Sequence, residues 1–362
     1  MTERILIYRP GSLGDAVVSL PSFRLVARTF PQAERWVCTH FPKDSKAPPL
    51  AAVLEGTGLV HSYLEYPAGA SNLRALSKLR GQIRKLEFRA VVYLAPRQTL
   101  VAVLRDALFF RSGGIGKSIG FPFRRADREN RWLESLGRHE SEAERLARCL
   151  AVLGDADVTS DLSWSLGNLD RERVLANSLL TSALGAAPYI ACNVGGKVPV
   201  NDWGREKWRL LLHTVASRYS QFGLVIVGAA EEFERGEELC REWLGPTLNL
   251  SRTLTPRESA AVLERARLFI GHDSGPMHLA ATMGTPCVAI FSARNKPGVW
   301  FPRGDGHKIL YHQTECYGCG LDVCEKYAAK CIASIAVEEV EAVIDQLLSG
   351  FPDQRQVESA SR

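Results

Sequence analysis

Three groups of residues in this 362-residue chain combine types and spacings that can do chemistry. The first is Asp15, which ends the glycine-bearing turn Arg9-Pro10-Gly11-Ser12-Leu13-Gly14-Asp15 after the apolar run Arg4–Tyr8. A carboxylate at that point stands at a helix N-terminus on the carboxyl edge of a sheet, where its ordinary role is to cap the helix. The second is Asp273-Ser274-Gly275 with His278, inside Ile270–Phe291. Asp273 or Ser274 can cap a helix whose first turn accepts Pro276, and the free N–H groups of such a helix start attract an anion such as a diphosphate. A plain turn has no need of Asp273, Ser274 and His278 together. The third is Cys316, Cys319, Cys324 and Cys331. The first pair has metal-ligand spacing, and four thiolates suit a structural zinc or iron; free thiols and a disulfide are the alternatives.

These groups need elements to hold them. The pattern predicts strands at Arg4–Tyr8, Arg35–Cys38, Val60–Leu64, Ala90–Leu94 and Lys117–Gly120, with a helix from Asp15 or Ala16 to about Phe30. Leu76, Leu79, Ile83 and Leu86 share one face of a basic helix ending near Leu86; it either packs on the domain or rests on anionic lipid. Arg111–Arg131 reads as loop around its short strand, a mobile basic segment suited to an acceptor, and His139-Glu140 as the opening of the next helix. After a polar junction at 154–188 the alternation resumes: helix Leu169–Leu184, strand Tyr189–Val194, helix from Arg205, strands Leu224–Gly228 and Thr247–Leu250, and helix Pro256–Arg265. Ala266–Ile270 and Thr285–Phe291 then read as buried strands flanking the Asp273 turn, and Val337–Leu348 as a last helix. Gly195-Gly196-Lys197, directly after a strand, invites phosphate. Twice-repeated strand–helix alternation predicts an α/β protein of two doubly wound parallel-sheet domains facing a cleft.

Composition narrows the class. No apolar run approaches the roughly 20 residues that span a bilayer, and no signal peptide is apparent, so a cytoplasmic protein is expected. Residues 1–150 hold 24 Lys+Arg against 14 Asp+Glu, which fits either an anionic partner or solvated helix faces. The basic stretches lack interleaved aromatics, so nucleic acid is not expected as a partner. The first turn lacks the Gly-Lys-Ser/Thr ending of a P-loop and the glycine spacing of a dinucleotide fingerprint.

The string DSGPMHLA resembles the donor-site motif of glycosyltransferase family 9, the heptosyltransferase-like family, and RPGSLGDAVVSLPSFRLVARTFPQAE looks like its opening motif. The resemblance implies a GT-B architecture of two Rossmann-like domains. Residues 1–165 would bind acceptor, 170–335 would bind nucleotide-sugar, helix 336–350 would pack back on the first domain, and 351–362 would be a polar tail. It implies Asp15 as the base, with Ser12, Gly14, Lys117 and Arg124 on the acceptor side. The donor would be held by Gly195, Gly196, Lys197, Glu232 (or Glu231), Asp273, Ser274, Gly275 and His278. The implied reaction is inverting and needs no catalytic metal or other cofactor. Its donor would be a nucleotide-diphosphate sugar of heptose type, and its acceptor an anionic glycan or glycolipid such as lipopolysaccharide, met at the cytoplasmic face of the inner membrane. Some autotransporter heptosyltransferases that resemble this family hold iron with C-terminal cysteines. One position departs: the family has Lys two residues before the loop Trp, where this chain has Asn201, and Lys197 is the nearest replacement. A nucleotide-sugar epimerase of the same fold and a non-catalytic glycan-binding relative are the rival readings.

Overall fold

The strand β1 (Arg4–Tyr8) is buried along Ile5–Tyr8, as a parallel strand covered on both faces must be. It lies between β2 (Glu34–Thr39) and β4 (Ala90–Tyr93), with β3 (Ser62–Glu65) and β5 (Lys117–Ile119) at the edges. All pairings are parallel, in the order β3-β2-β1-β4-β5. The chain leaves β1 toward β2 and later returns to β4 on its other side, so the switch point of this sheet falls at the carboxyl ends of β1 and β4. The computed structural model describes residues 3–40, 50–67, 73–96 and 99–349; the expected tail at 351–362 lies outside them. The chain divides into two units between Asn168 and Leu169.

After an antiparallel pair, β6 (Trp132–Leu133) and β7 (Arg138–His139), the second unit repeats the plan with six strands. These are β8 (Tyr189–Asn193), β9 (Gly223–Ile226), β10 (Thr247–Asn249), β11 (Leu268–His272), β12 (Cys287–Phe291) and β13 (Lys308–Tyr311). Their order, β10-β9-β8-β11-β12-β13, puts this switch point between β8 and β11. The expected mixed α/β class with two doubly wound parallel sheets is therefore what the chain forms. No helix among the described residues is long and apolar enough to cross a membrane.

Several local expectations are corrected. The first helix is two, Leu13–Val18 and Leu20–Thr29, with Pro21 in the first turn of the second. Arg111–Arg131 is not free loop. The helix Leu100–Ser112 runs into it, and a turn of helix at Arg125–Arg128 is tied down by Arg128, which donates to Pro122 O and Phe123 O at 3.1 and 2.6 Å. His139-Glu140 does not open a helix either: His139 closes β7 and Glu140 accepts from Arg148 (2.8 Å). The helix Glu142–Cys149 starts one step later, at the reciprocal cap of Ser141 and Glu144, a signature present in the sequence. Finally, the helix Val337–Leu348 turns its apolar face into the second unit. Val337, Val340, Ile344 and Leu348 sit in the core of the second, beside Trp208, Leu211 and Val215 of the helix Arg205–Arg218, and Arg218 bonds Glu341 and Asp345 alongside.

Ile344 is fully buried there. Ile344→Ala should therefore cost about 2–5 kcal/mol of stability, read from denaturant unfolding. An unchanged midpoint would show that this helix is not part of the core.

Candidate functional site

At the switch point of the first sheet, one buried cation organises the turn. Arg9 is fully buried, and its Nη1 donates to Leu94 O just beyond β4 (2.6 Å). Nε and Nη2 donate to Asp15 O (3.1 and 2.7 Å), and Nη2 reaches Asp15 Oδ1 at 3.2 Å. Burial pushes the guanidinium below its ordinary pKa, and the charges of Asp15 and Glu142 oppose that shift. The other carboxylate oxygen, Asp15 Oδ2, accepts from Ser12 N and Oγ at 2.7 and 3.0 Å. Gly11 has φ +144°, and a Cβ there would stand 2.5 Å from the Asp15 side chain, so the turn needs glycine for both conformation and space. Asp15 retains 18 % side-chain exposure, enough for a hydroxyl to approach.

At the switch point of the second sheet, Asn193 ends β8 and is nearly fully buried. Its Nδ2 donates to Val227 O (2.9 Å) and Glu232 Oε2 (3.1 Å), while its Oδ1 accepts from Ser274 Oγ (2.9 Å). One amide thus joins the two halves of the expected donor site. Glu232 Oε2 also accepts from Ala229 N at 3.1 Å. The carboxylate lies in a notch made by missing side chains: a Cβ on Gly195 or Gly228 would come within 2.3 or 2.1 Å of it. Asp273, Ser274 and Gly275 are partly exposed where the helix Gly275–Thr282 begins, so its first N–H groups face outward at this edge.

Two histidines beneath this edge are neutral. His272 Nε2 accepts from Trp203 N and Trp208 Nε1, both at 3.1 Å, which leaves Nδ1 to carry the proton toward Gly195 O (3.5 Å). Burial, only partly opposed by Asp202, pushes its pKa down to about 4. His278 lies against the Trp300 ring, and burial pushes it likewise to about 4. Asn201 is buried, donating from Nδ2 to Asp273 O (3.2 Å) and accepting at Oδ1 from Ser292 Oγ (2.5 Å). The residue at the usual lysine position therefore ties the loop to the Asp273 turn, while Gly196 and Lys197 are exposed in the same loop.

The four late cysteines are free and line one small cavity with Val200, Arg294 and Lys330. Their loop is pinned to the strand-end segment after β12, since Gly318 N donates to Ala293 O (2.7 Å) and Gly320 N to Arg294 O (2.8 Å). It is also pinned to the 195–203 loop, through Val200 N donating to Asp322 O (3.0 Å). The thiol chemistry fits a soft ion, yet among the described residues no three Cys, His, Asp or Glu side chains converge as a ligand set.

Of the residues expected on the acceptor side, Ser12 and Gly14 belong to the Asp15 turn, with Ser12 bonded to Asp15 itself. Arg124 is exposed beyond the carboxyl end of β5. Lys117 is not brought to this edge. It pairs with Ala90 at the amino-terminal end of β4, about 10 Å down the sheet from Tyr93. Sequence reasoning missed Arg9, Asn193 and His272. The one available signal was a polar or charged residue closing each buried strand.

The model of glycosyltransferase family 9 (heptosyltransferase) matches residues 77–327, which include the glycine notch, the Asp273 turn and three of the four cysteines. The chain belongs to glycosyltransferase family 9. Lipopolysaccharide heptosyltransferase 3 of Escherichia coli K12 is 27 % identical over 152 residues, 41 % of this chain and 43 % of that protein, so the match spans less than half of either. Among solved structures, a family 9 glycosyl transferase from Veillonella parvula superposes with a TM-score of 0.72 at 18 % identity, covering 96 % of this chain and 98 % of the other. The ADP-heptose lps heptosyltransferase II of E. coli gives 0.67 at 17 % identity, covering 96 % and 99 %. These two likenesses carry the GT-B fold. The family match begins after Asp15, so the opening turn rests on its own geometry.

The neutral histidines set a pH dependence. Both have folded pKa values near 4, below the ordinary 6.5. Between those values the unfolded chain binds protons that the folded unit refuses. Stability is therefore full above about 6.5 and falls as the pH drops toward 4, by about 1 kcal/mol per pH unit for each histidine. Melting temperature should decline between pH 7 and pH 5, and His272→Gln should flatten part of that decline. An identical slope in the variant would remove His272 from the cause.

Proposed function

We propose that the chain transfers a heptose-type sugar from a nucleoside-diphosphate donor to a hydroxyl of an anionic surface glycan such as lipopolysaccharide, with inversion at the anomeric carbon. The observation that carries this reading is the amide of Asn193, which links Glu232 to Ser274 and so sets a partnered carboxylate and an anion-binding helix start on one sheet edge. In this reading Glu232 meets the nucleoside, and the N–H groups at Ser274–Gly275 meet the diphosphate. Lys197 adds the charge that Asn201 does not supply, and Asp273 faces the sugar. The buried neutral His278 adds no charge to the pocket floor.

Asp15 takes the proton from the acceptor hydroxyl. The oxygen's electron pair forms the new bond to the anomeric carbon as the bond to the β-phosphate oxygen breaks, and the diphosphate departs with that pair. Arg9 holds Asp15 from below by its main chain and one oxygen, and Ser12 holds the other oxygen. Helix-end N–H groups and Lys197 stabilise the departing charge, so the transfer should survive a chelator. The four cysteines line one cavity without converging as a ligand set among the described residues; they are proposed to draw together on one zinc or iron ion, which would stiffen their loop and, through Val200, the 195–203 loop. No step of the transfer passes through that ion.

Asp15→Asn should lower turnover by about 10²–10⁴, followed as nucleoside diphosphate released in the presence of acceptor. Its affinity for the donor should stay unchanged by calorimetry. Wild-type turnover would take Asp15 out of the mechanism, and release that ignores acceptor would favour an isomerase. For the cysteines, elemental analysis of purified protein should find near-stoichiometric zinc or iron. Cys319→Ser should lower the metal content, the melting temperature and the donor affinity together. Metal-free protein with an unaltered melt in Cys319→Ser would leave four ordinary thiols.

A further inference from the structure

A second buried cation stands next to Arg9. Arg145, on the helix Glu142–Cys149, has a side chain only 1 % exposed, and the Glu142 carboxylate one turn before it is fully covered. Arg145 Nε and Nη2 donate to the two Glu142 oxygens at 2.8 and 2.7 Å, a two-pronged pair. Nη2 also donates to Ala95 O (3.2 Å), and Nη1 to Asp127 O (3.0 Å) and Cys149 Sγ (3.7 Å). Since Arg9 Nη1 holds Leu94 O, two guanidinium groups from different elements grip consecutive carbonyls just past β4.

Stability alone does not call for such a pair. Taking two charges out of water costs about as much as their attraction returns, and apolar side chains of the same volume would fill the space as well. The surroundings give the pair another use. Burial works against the charge on Arg9, Asp15 and Glu142 support it, and Arg145 opposes it. With Asp15 ionised, two buried cations and two carboxylates balance at this sheet edge. The next charges out pair among themselves, Arg148 with Glu140 at 2.8 Å and with Asp127 at 3.2 Å. Burial pushes the Cys149 thiol up, so it adds no charge. We infer that, given Asp15 as the base proposed above, Glu142 and Arg145 are positioning residues for it: through Arg9 and the carbonyls of Leu94 and Ala95 they hold its carboxylate in place and balance the charge around it. The bond from Arg145 to Asp127 O also ties in the turn of helix Arg125–Arg128, directly after Arg124. One guanidinium thus serves both the base and the segment expected to meet the acceptor.

The test uses the full chain, with ADP-heptose as donor and lipopolysaccharide as acceptor, and follows ADP release against pH. The acid limb of kcat/KM reads the base. Glu142→Gln keeps the shape and removes one negative charge, so the limb should move to lower pH by about half a unit. Arg145→Met does the reverse: the stranded Glu142 competes with Asp15 for Arg9, and the limb should move to higher pH. Damage to the fold alone would not move the limb in opposite senses. Arg145→Lys keeps the charge and gives up the fork, so the limb should stay. Its loosened strand end should show in the Asp15 turn without any assay of turnover. The Ser12 N–H, which donates to Asp15 Oδ2 at 2.7 Å, should exchange with deuterium about tenfold faster, while the amides of β1 keep their rate. Wild-type exchange at Ser12 in Arg145→Lys would overturn the inference, as would a folded Glu142→Gln whose limb stays in place. Asp15→Asn, run beside them, separates the two readings. Wild-type turnover in that variant removes the base, whereas an inactive Asp15→Asn with unmoved limbs in the other variants removes only the positioning pair.

Discussion

Both units depend on one constraint: the polar groups left at the carboxyl edge of a parallel sheet must be satisfied without closing the edge. Where the strand order reverses, two neighbouring strands send their chains to opposite faces and leave a gap that no helix fills. This chain fills each gap from below with one buried side chain. In the first sheet Arg9 spans from β1 to Leu94 beyond β4. In the second Asn193 spans from β8 to Val227 beyond β9 and to Ser274 beyond β11. Each leaves its upper neighbours, Asp15 and the Ser274 helix start, held yet open to solvent.

The choice of side chain follows from the charge each edge has to tolerate. An ionised Asp15 beside apolar strands would be costly alone, and a guanidinium with three backbone or carboxylate acceptors makes it tenable. Arg9 is itself tenable only because its donors are filled; with Asp15 removed it would be a buried cation short of a partner. On the second edge the proposed ligand, a diphosphate, would bring the negative charge, and a neutral amide and neutral imidazoles suit such a floor. His272 is kept neutral by its burial, and a second proton on Nε2 would face the main-chain N–H of Trp203 and the indole Nε1–H of Trp208.

How much of this was legible varies with the range of the interaction. Runs such as RILIY and LFIGH announce their strands because burial on both faces needs continuous apolar sequence. The Asp15 and Asp273 turns were legible because glycine, a capping residue and a helix stripe are all local. Arg9, Asn193 and His272 were not, because their meaning lies in which strand stands beside them, and strand order is set by crossovers far along the chain. Lys117 failed for the same reason: a lysine in a glycine- and arginine-rich stretch looks accessible to any ligand, but its register against Ala90 fixes it at the amino edge. The helix Leu100–Ser112 escaped notice because an apolar helix and a buried strand region read alike without polar punctuation. The apolar stripe of the last helix says that it packs, not on what; its place in the second unit's core is set by the helix Arg205–Arg218 far back in the chain.

Asn201 shows where structural demand and ligand demand part company. A lysine at this buried position would have to leave its ammonium among Asp273 O and Ser292 Oγ or swing it outward, losing the tie between loop and turn. The asparagine keeps that tie with one donor and one acceptor, and so fixes the 195–203 loop against the helix start. The cation is thereby displaced to Lys197, four residues earlier and on the exposed part of the loop. A charge at the loop tip steers an anion and closes over it, whereas one on the floor pre-forms the site. The same loop is held from its far side by Val200 on Asp322, within the cysteine segment. In this chain, then, the 195–203 loop is tied down by a buried amide on one side and by the cysteine segment on the other, and its cation stands on the exposed part.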